Sequence, residues 1–328
     1  MQTLHHFQTQ FEHYLKDHLF HQPPAELYSP ANYILQLGGK RLRPAVLMLG
    51  YYLFREDVEK SLPAALAIEL FHNFTLVHDD IMDAAPLRRG HPTVHQKYNT
   101  NTGILSGDVM LTQAYNCLLQ LEAEDALVHS LASIFTQTAI EVCEGQQLDM
   151  NFENRQDVTI EEYLKMIELK TSVLVAAALK MGALLAGATP TDAQHLYEFG
   201  RHLGLAFQLQ DDLLDTFGNA AKFGKKAGGD ICQNKKTYLY LKTLEIAGPG
   251  LKKELENWYA TPTHSNAADE KIRRITQIFR ELNIGETTEK LKEKYQRQAI
   301  AHLDKVNAPA DKKNTLENFA AMLMNREL

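Results

Sequence analysis

The sequence predicts an all-α protein, a single-domain helical bundle, and three observations lead there. Apolar residues recur with the 3.6-residue spacing of helices over long segments, and convincing strand alternation is hard to find. Glycine and proline gather between those segments, where they act as breakers. Taken in order, the spacing predicts helices over Leu62–Asp83, Gly103–Leu121, Ala126–Met150, Ile160–Ala186, Asp192–Thr216 and Lys235–Ile246. The stretch from Tyr163 to Ala186 is apolar around most of its circumference, as in a central helix enclosed by others. Breaks fall at Gly38-Gly39, at Pro86 and Gly90-His91-Pro92, and at Gly224 with Gly228-Gly229. The stretch from Tyr259 to Ala267 reads as a surface connection without chemistry.

The 328 residues contain no low-complexity tract or Pro/Ser-rich linker, so residues 1–328 are expected to form one domain. With 45% hydrophobic and 23% charged residues, the chain can bury a sizeable core. A net charge of -7 argues against general nucleic-acid binding and favours cations near an acidic face. Cys117, Cys143 and Cys232 are odd in number and widely spaced, which indicates neither a disulfide framework nor a zinc site and points to a reducing cytoplasm. The first twenty residues lack a signal-peptide core, and no transmembrane segment of roughly 18 to 20 apolar residues is expected.

Two acidic clusters with the same D-D-x-x-D spacing stand at Asp79, Asp80 and Asp83 and at Asp211, Asp212 and Asp215. On a helix the first and last aspartate of each cluster project from one face, one turn apart. Such carboxylates resist ionising together unless a cation is supplied, and paired hard oxygens suit Mg2+ that completes its shell with phosphate. The two clusters are therefore expected to confront each other across one pocket mouth and grip a diphosphate. Three basic groups accompany them: Lys40-Arg41-Leu42-Arg43, Arg88-Arg89 and Lys225-Lys226. Arginine holds phosphate through paired hydrogen bonds and lysine supplies a compact charge, so the mixture predicts a second diphosphate held directly by cations.

In order along the chain, Gly38 to Pro44, Leu76 to Asp80 with Arg88-Arg89-Gly90, Gly107-Asp108, Gly145-Gln146, Lys170-Thr171, Phe207-Gln208 through Asp215, Gly224-Lys225 and Asp230 resemble the trans-isoprenyl diphosphate synthases, or polyprenyl synthetases. The resemblance covers most of the chain. It implies an isoprenoid-synthase bundle around a deep central cavity, a homodimer, and elongation of an allylic diphosphate (dimethylallyl, geranyl or farnesyl) by isopentenyl diphosphate. By the same likeness Asp79, Asp83 and Asp211 are direct Mg2+ ligands, with Asp80, Asp212 and Asp215 behind them, and three ions accompany the bound diphosphate. Arg88, Lys225 and Lys235 match positions on the allylic diphosphate, while Lys40, Arg43, His72 and Arg89 match those on isopentenyl diphosphate. Lys170, Thr171 and Gln208 match residues near the reacting carbon.

The residues agree with that chemistry. Ionising an allylic ester separates diphosphate from a carbocation, which calls for fixed cations around the leaving group and dipoles facing the carbon. A lysine such as Lys170 in an apolar helix needs an anion partner or a route to solvent. His72 taken alone is more often a satisfied helix histidine, and His78 and His91 receive no role.

Upstream of Asp79, Phe74 is expected about 7 to 8 Å below the metal site and Phe71 about 12 Å below, from a rise of 1.5 Å per residue. Either ring can serve as the floor that limits the product. A lone aromatic five residues before the motif resembles the pattern of C20-forming members, with C15 the close competitor. Two other readings are open: a class I terpene synthase, which needs one diphosphate substrate, and a non-catalytic subunit of a heteromeric synthase, which tends to lose these motifs.

Overall fold

The computed structural model describes residues 2–218, 228–260 and 268–324. The helices in chain order are α1 (Gln2–Asp17), α2 (Ala25–Gln36), α3 (Leu42–Tyr52), α4 (Leu62–Met82), the single turn α5 (Val94–Lys97), α6 (Thr100–Leu119) and α7 (Asp125–Asn154). They continue as α8 (Ile160–Ile167), a π turn (Glu168–Ser172), α9 (Val173–Leu185) and α10 (Pro190–Phe217). The short α11 (Gly229–Cys232) follows, then α12 (Tyr238–Ile246), α13 (Pro249–Ala260), α14 (Ala268–Glu281), α15 (Ile284–Asp304) and α16 (Ala310–Met324).

Local chemistry sets the helix starts. Asn99 accepts the Thr102 N–H at 2.8 Å and opens α6. Thr159 and Glu162 form a reciprocal capping box at the start of α8. Proline occupies the first turn of α4 and of α10, where its missing N–H leaves no bond unmade. The predicted Lys235 start of α12 moves to Tyr238, because Thr237 is held extended.

The chain forms two compact units: Met1–Gln137, Ala177–Tyr197 and Val306–Leu316 in the first, and Thr138–Ala176, Glu198–Lys305 and Glu317–Leu328 in the second. In the first, α4 packs on α6 and α3 and is apolar nearly all round, with Leu66, Ile68, Leu70, Phe71 and Val77 buried. In the second, Tyr163, Ile167, Leu209, Leu239, Leu255, Ile275 and Phe279 belong to one core cluster.

Strand structure, which the sequence did not suggest, appears once among the described residues. Leu87–Arg88 pairs antiparallel with His91–Pro92, and Arg89 (φ 53) and Gly90 (φ 79) make the turn. Two consecutive left-handed residues are what a two-residue hairpin with the right strand twist requires. A second difference concerns α7. Contrary to the expectation that no stretch reaches membrane-spanning length, α7 is long and apolar enough to cross a membrane by length and composition, and only a stripe of it is buried. Leu131, Phe135, Thr138, Val142 and Gly145 form its buried stripe.

Candidate active site

The first acidic cluster closes α4. Asp79 and Asp83 stand one turn apart, joined by the Asp83 N–H donating to the Asp79 carbonyl at 2.8 Å, and Asp83 is exposed. Asp80 points elsewhere: it is 2% exposed and takes a two-pronged hydrogen bond from Arg88, at 2.7 and 2.8 Å. The hairpin makes this possible by folding Arg88 back over the end of α4. Asp80 therefore anchors a cation here, while Asp79 is half-buried and Asp83 exposed.

Around Arg88 the basic residues converge within the same unit. Arg43 donates to His72 Nε2 at 3.1 Å. Arginine has no lone pair to offer, so that ring nitrogen is the acceptor and the imidazole is neutral. Burial first, then the charges of Arg43, Arg89, Arg88 and Arg41, hold His72 well below its ordinary pKa. Arg89 donates to the Gly38 carbonyl, and a side chain at Gly39 would strike its guanidinium. Lys40 is exposed. Burial, and then a neighbouring arginine among other charges, lowers the pKa of both Arg43 and Arg89. Cations crowded in this way are relieved by an arriving dianion.

Arg41, which the sequence grouped with the basic turn, is buried instead. It adopts the left-handed region at φ 44 and binds Glu69 and the Leu35 carbonyl. Asn73 also donates to Glu69, at 3.1 Å. Sequence reasoning missed Glu69, although a lone carboxylate in the apolar run of α4 signals a buried cation partner.

The second acidic cluster lies near the end of α10, in the other unit. Asp212 is buried, accepts from the Tyr163 hydroxyl and sits 3.4 Å from Gln208 Nε2. Burial, then the charge of Asp230, raises its pKa well above the ordinary carboxylate value. Asp215 accepts the Asp230 N–H at 2.9 Å and so ties α11 to the end of α10. Asp230, raised chiefly by burial, lies 3.7 Å from Lys235. Asp211 is half-buried on the adjoining face. Lys225 lies outside the described residues.

Lys170 and Thr171 occupy the π turn between α8 and α9, where the Val173 N–H reaches back five residues to Glu168. Such turns insert one residue and recur at functional sites. Lys170 has the anion partner its setting demands, Asp149 at 2.6 Å. Thr171 Oγ1 is 3.5 Å from Gln208 Oε1. The structure thus links Thr171, Gln208 and Asp212 by successive contacts, with Lys170 next to Thr171 in the turn, and adds Asp149 and Tyr163, which the sequence left unassigned. Another backbone packs closely on the turn: a Cβ at Gly145 would fall 2.3 Å from the Lys170 backbone nitrogen.

Phe74 and Phe71 are 9% and 1% exposed. Their ring centroids are 5.7 Å apart, and Phe71 rests edge-on against Phe135 at 5.3 Å. On its other side Phe74 meets the His78 ring at 4.7 Å, and His78 is satisfied by the Ile104 carbonyl at 3.1 Å.

An all-helical scaffold that ends two helices in acidic clusters, one of them beside a nest of arginines, defines an isoprenyl-synthase fold. A polyprenyl synthetase family profile matches residues 24–279. The chain is 46% identical over 222 residues to the geranylgeranyl diphosphate synthase of Methanosarcina mazei, covering 68% of each chain. It is 44% identical over 238 residues to the geranylfarnesyl diphosphate synthase of Natronomonas pharaonis, covering 67% of this chain and 69% of that one. A crystal structure of a geranylgeranyl pyrophosphate synthase superposes with a TM-score of 0.95 at 44% identity over 100% of both chains. The chain belongs to the polyprenyl synthetase family and is a short-chain trans-prenyltransferase.

Proposed function

We propose that this enzyme condenses isopentenyl diphosphate with an allylic diphosphate to give geranylgeranyl diphosphate, C20, in a Mg2+-dependent reaction. The observation that carries the reading is the arginine nest: Arg43, Arg88 and Arg89, steadied by buried Arg41, surround a neutral His72. It concentrates several guanidinium groups next to the acidic end of α4, Arg88 held in place there by Asp80. A cyclase acting on one diphosphate has no use for that provision, and a non-catalytic subunit has no use for two intact acidic clusters.

Each donor set fits hard divalent cations: Asp79 and Asp83 at the end of α4, and Asp211 on α10, offer only oxygens. In this reading those three are the direct ligands, with up to three ions around the bound diphosphate, and Asp80, Asp212 and Asp215 orient neighbouring groups. Bound Mg2+ supplies charge neutralisation for the departing diphosphate. Arg88 and Lys235, with Lys225, hold the allylic diphosphate; Lys40, Arg43, His72 and Arg89 hold isopentenyl diphosphate. Lys170, Thr171 and Gln208 direct their dipoles and charge at the breaking C–O bond and the carbocation. The alkene of isopentenyl diphosphate attacks the cation, and a proton leaves to the released diphosphate. The Phe74 ring ends the growing chain.

The enzyme acts as a cytoplasmic homodimer in this account. Support for the dimer comes from α7, where Thr136, Ile140, Cys143, Gln147 and Met150 are exposed at alternating four- and three-residue spacing. That spacing is the one by which a helix packs along another helix. A hollow of about 360 Å³ lined by His129, Ala132, Ser133, Thr136 and Gln137 runs along the same helix. A second copy covers this exposed face of α7 in the same reading. Supplying dimethylallyl diphosphate with and without isopentenyl diphosphate tests the reaction. Product formation only with both supports elongation, and a hydrocarbon product from the allylic substrate alone overturns it.

A further inference from the structure

The π turn that presents Lys170 and Thr171 is held by a residue with no role assigned above. Arg201 of α10 uses all three guanidinium nitrogens. Nη1 donates to Glu168 at 2.7 Å, Nε donates to Glu198 at 2.9 Å, and Nη2 reaches Glu198 at 2.8 Å and His202 Nε2 at 3.2 Å. His202 is turned to receive it, because its Nδ1 lies 2.7 Å from the Glu198 carbonyl and carries the proton, leaving Nε2 as acceptor. Glu198, His202 and His302 bring their ligating atoms within 4.8 Å of one another, a grouping that suggests a metal centre. Arg201 already binds two of the three, so the cluster is the cradle of a guanidinium.

Glu168 opens the π turn. Burial alone would raise its carboxyl pKa, but the hydrogen bonds from Lys165 and Arg201 outweigh burial and keep it below the ordinary value. The other end of the turn meets the same helix, since a Cβ at Gly204, one turn beyond Arg201, would lie 2.7 Å from Ser172. A π turn carries one residue more than an α-helix needs. If it relaxed to regular helix, residues on one side would rotate by roughly 100° relative to the other. Lys170 would then leave Asp149, and Thr171 would leave Gln208.

We propose that Arg201 is a positioning residue for prenyl transfer: by clamping Glu168 to α10 it fixes the π turn and thereby aims Lys170 and Thr171 at the reacting atoms. The inference rests on the reading of Lys170 and Thr171 given under Proposed function. Arg201 acts at one remove, so its loss lowers turnover and leaves substrate affinity largely intact.

A kinetic cycle of Arg201→Met, Lys170→Ala and the double variant tests this, with circular dichroism to verify folding. Arg201→Met is expected to lower kcat about tenfold or more, as roughly an ångström of misplacement does, with KM for isopentenyl diphosphate changed by less than about threefold. Arg201→Lys recovers part of the loss, because an ammonium still reaches Glu168. The double variant is expected to be slower than Lys170→Ala alone by clearly less than Arg201→Met slows the wild type, since the part of the Arg201 effect that passes through Lys170 is already lost and only that through Thr171 remains. Glu168→Gln run through the same cycle repeats the test should Arg201→Met fold poorly. Losses that multiply in the double variant, or an unchanged kcat in Arg201→Met, overturn the inference. A wild-type rate in Lys170→Ala overturns the assignment of Lys170 itself, and the clamp with it.

Discussion

Replacing Phe74 by alanine is expected to lengthen the product by one five-carbon unit, from C20 to C25. The step follows from the aromatic stack on α4. Phe71 lies directly behind Phe74, with ring centroids 5.7 Å apart, and Phe135 backs Phe71 at 5.3 Å. An extended isoprene unit advances a chain by roughly 5 Å, four carbon–carbon bonds of about 1.5 Å each at tetrahedral angles. Removing the first ring therefore opens room for one unit and exposes a second floor. Phe71→Ala alone leaves the length unchanged because Phe74 still closes the way, while Phe71→Ala/Phe74→Ala extends it again. Stability separates the two positions as well. Phe71 is 1% exposed and Phe74 9%, so truncation costs about 3–5 kcal/mol, with Phe71 toward the upper end. Mass spectrometry of products made from farnesyl and isopentenyl diphosphates reads the lengths, and thermal melts read the stability. A folded Phe74→Ala enzyme with an unchanged product distribution refutes this assignment of the floor.

Other consequences can be measured with the same protein. Asp80→Asn strips Arg88 of its two-pronged partner; stability is expected to fall by about 2 kcal/mol or more and kcat/KM for the allylic substrate by at least about tenfold, checked by denaturant melts and steady-state rates. His72 has a folded pKa held below the ordinary 6.5, so the unfolded chain binds its proton first as pH falls. The contribution of His72 to stability is complete above about pH 6.5 and is lost progressively below it; the melting temperature of wild type should drop faster with acidification than that of His72→Gln. Excess EDTA is expected to abolish turnover and added Mg2+ to restore it, so full activity in EDTA contradicts the ligand assignment. Light scattering should give twice the chain mass, and Ile140→Asp on α7 should shift it toward one.

Much of the fold was legible because long amphipathic and fully apolar helices announce themselves by periodicity. The ends of α4 and α10 fell within a residue or two of the predicted limits. The hairpin at Leu87–Pro92 was hidden for a physical reason: its turn places Arg89, rather than asparagine or glycine, in the left-handed region, and four strand residues carry no alternation to detect. The π turn leaves no trace in composition either, since the residues packed on it, Gly145, Arg201 and Gly204, are distant in sequence. Sequence grouped Arg41 with its neighbours because adjacent charges look alike in one dimension. Only the fold shows that Arg41 faces Glu69 while Arg43 faces His72. The repeated D-D-x-x-D spacing was plain, yet it does not reveal that Asp80 and Asp212 turn inward toward Arg88 and Tyr163. That division of labour depends on helix phase relative to partners distant in sequence.

The most direct test of the proposal is a crystal structure with Mn2+ in place of Mg2+ and a non-reacting allylic diphosphate analogue, with the metals located by anomalous scattering. The account predicts metal peaks shared between one diphosphate and the carboxylates of Asp79, Asp83 and Asp211. Metals confined to one acidic cluster, or each cluster binding a diphosphate of its own, would contradict it.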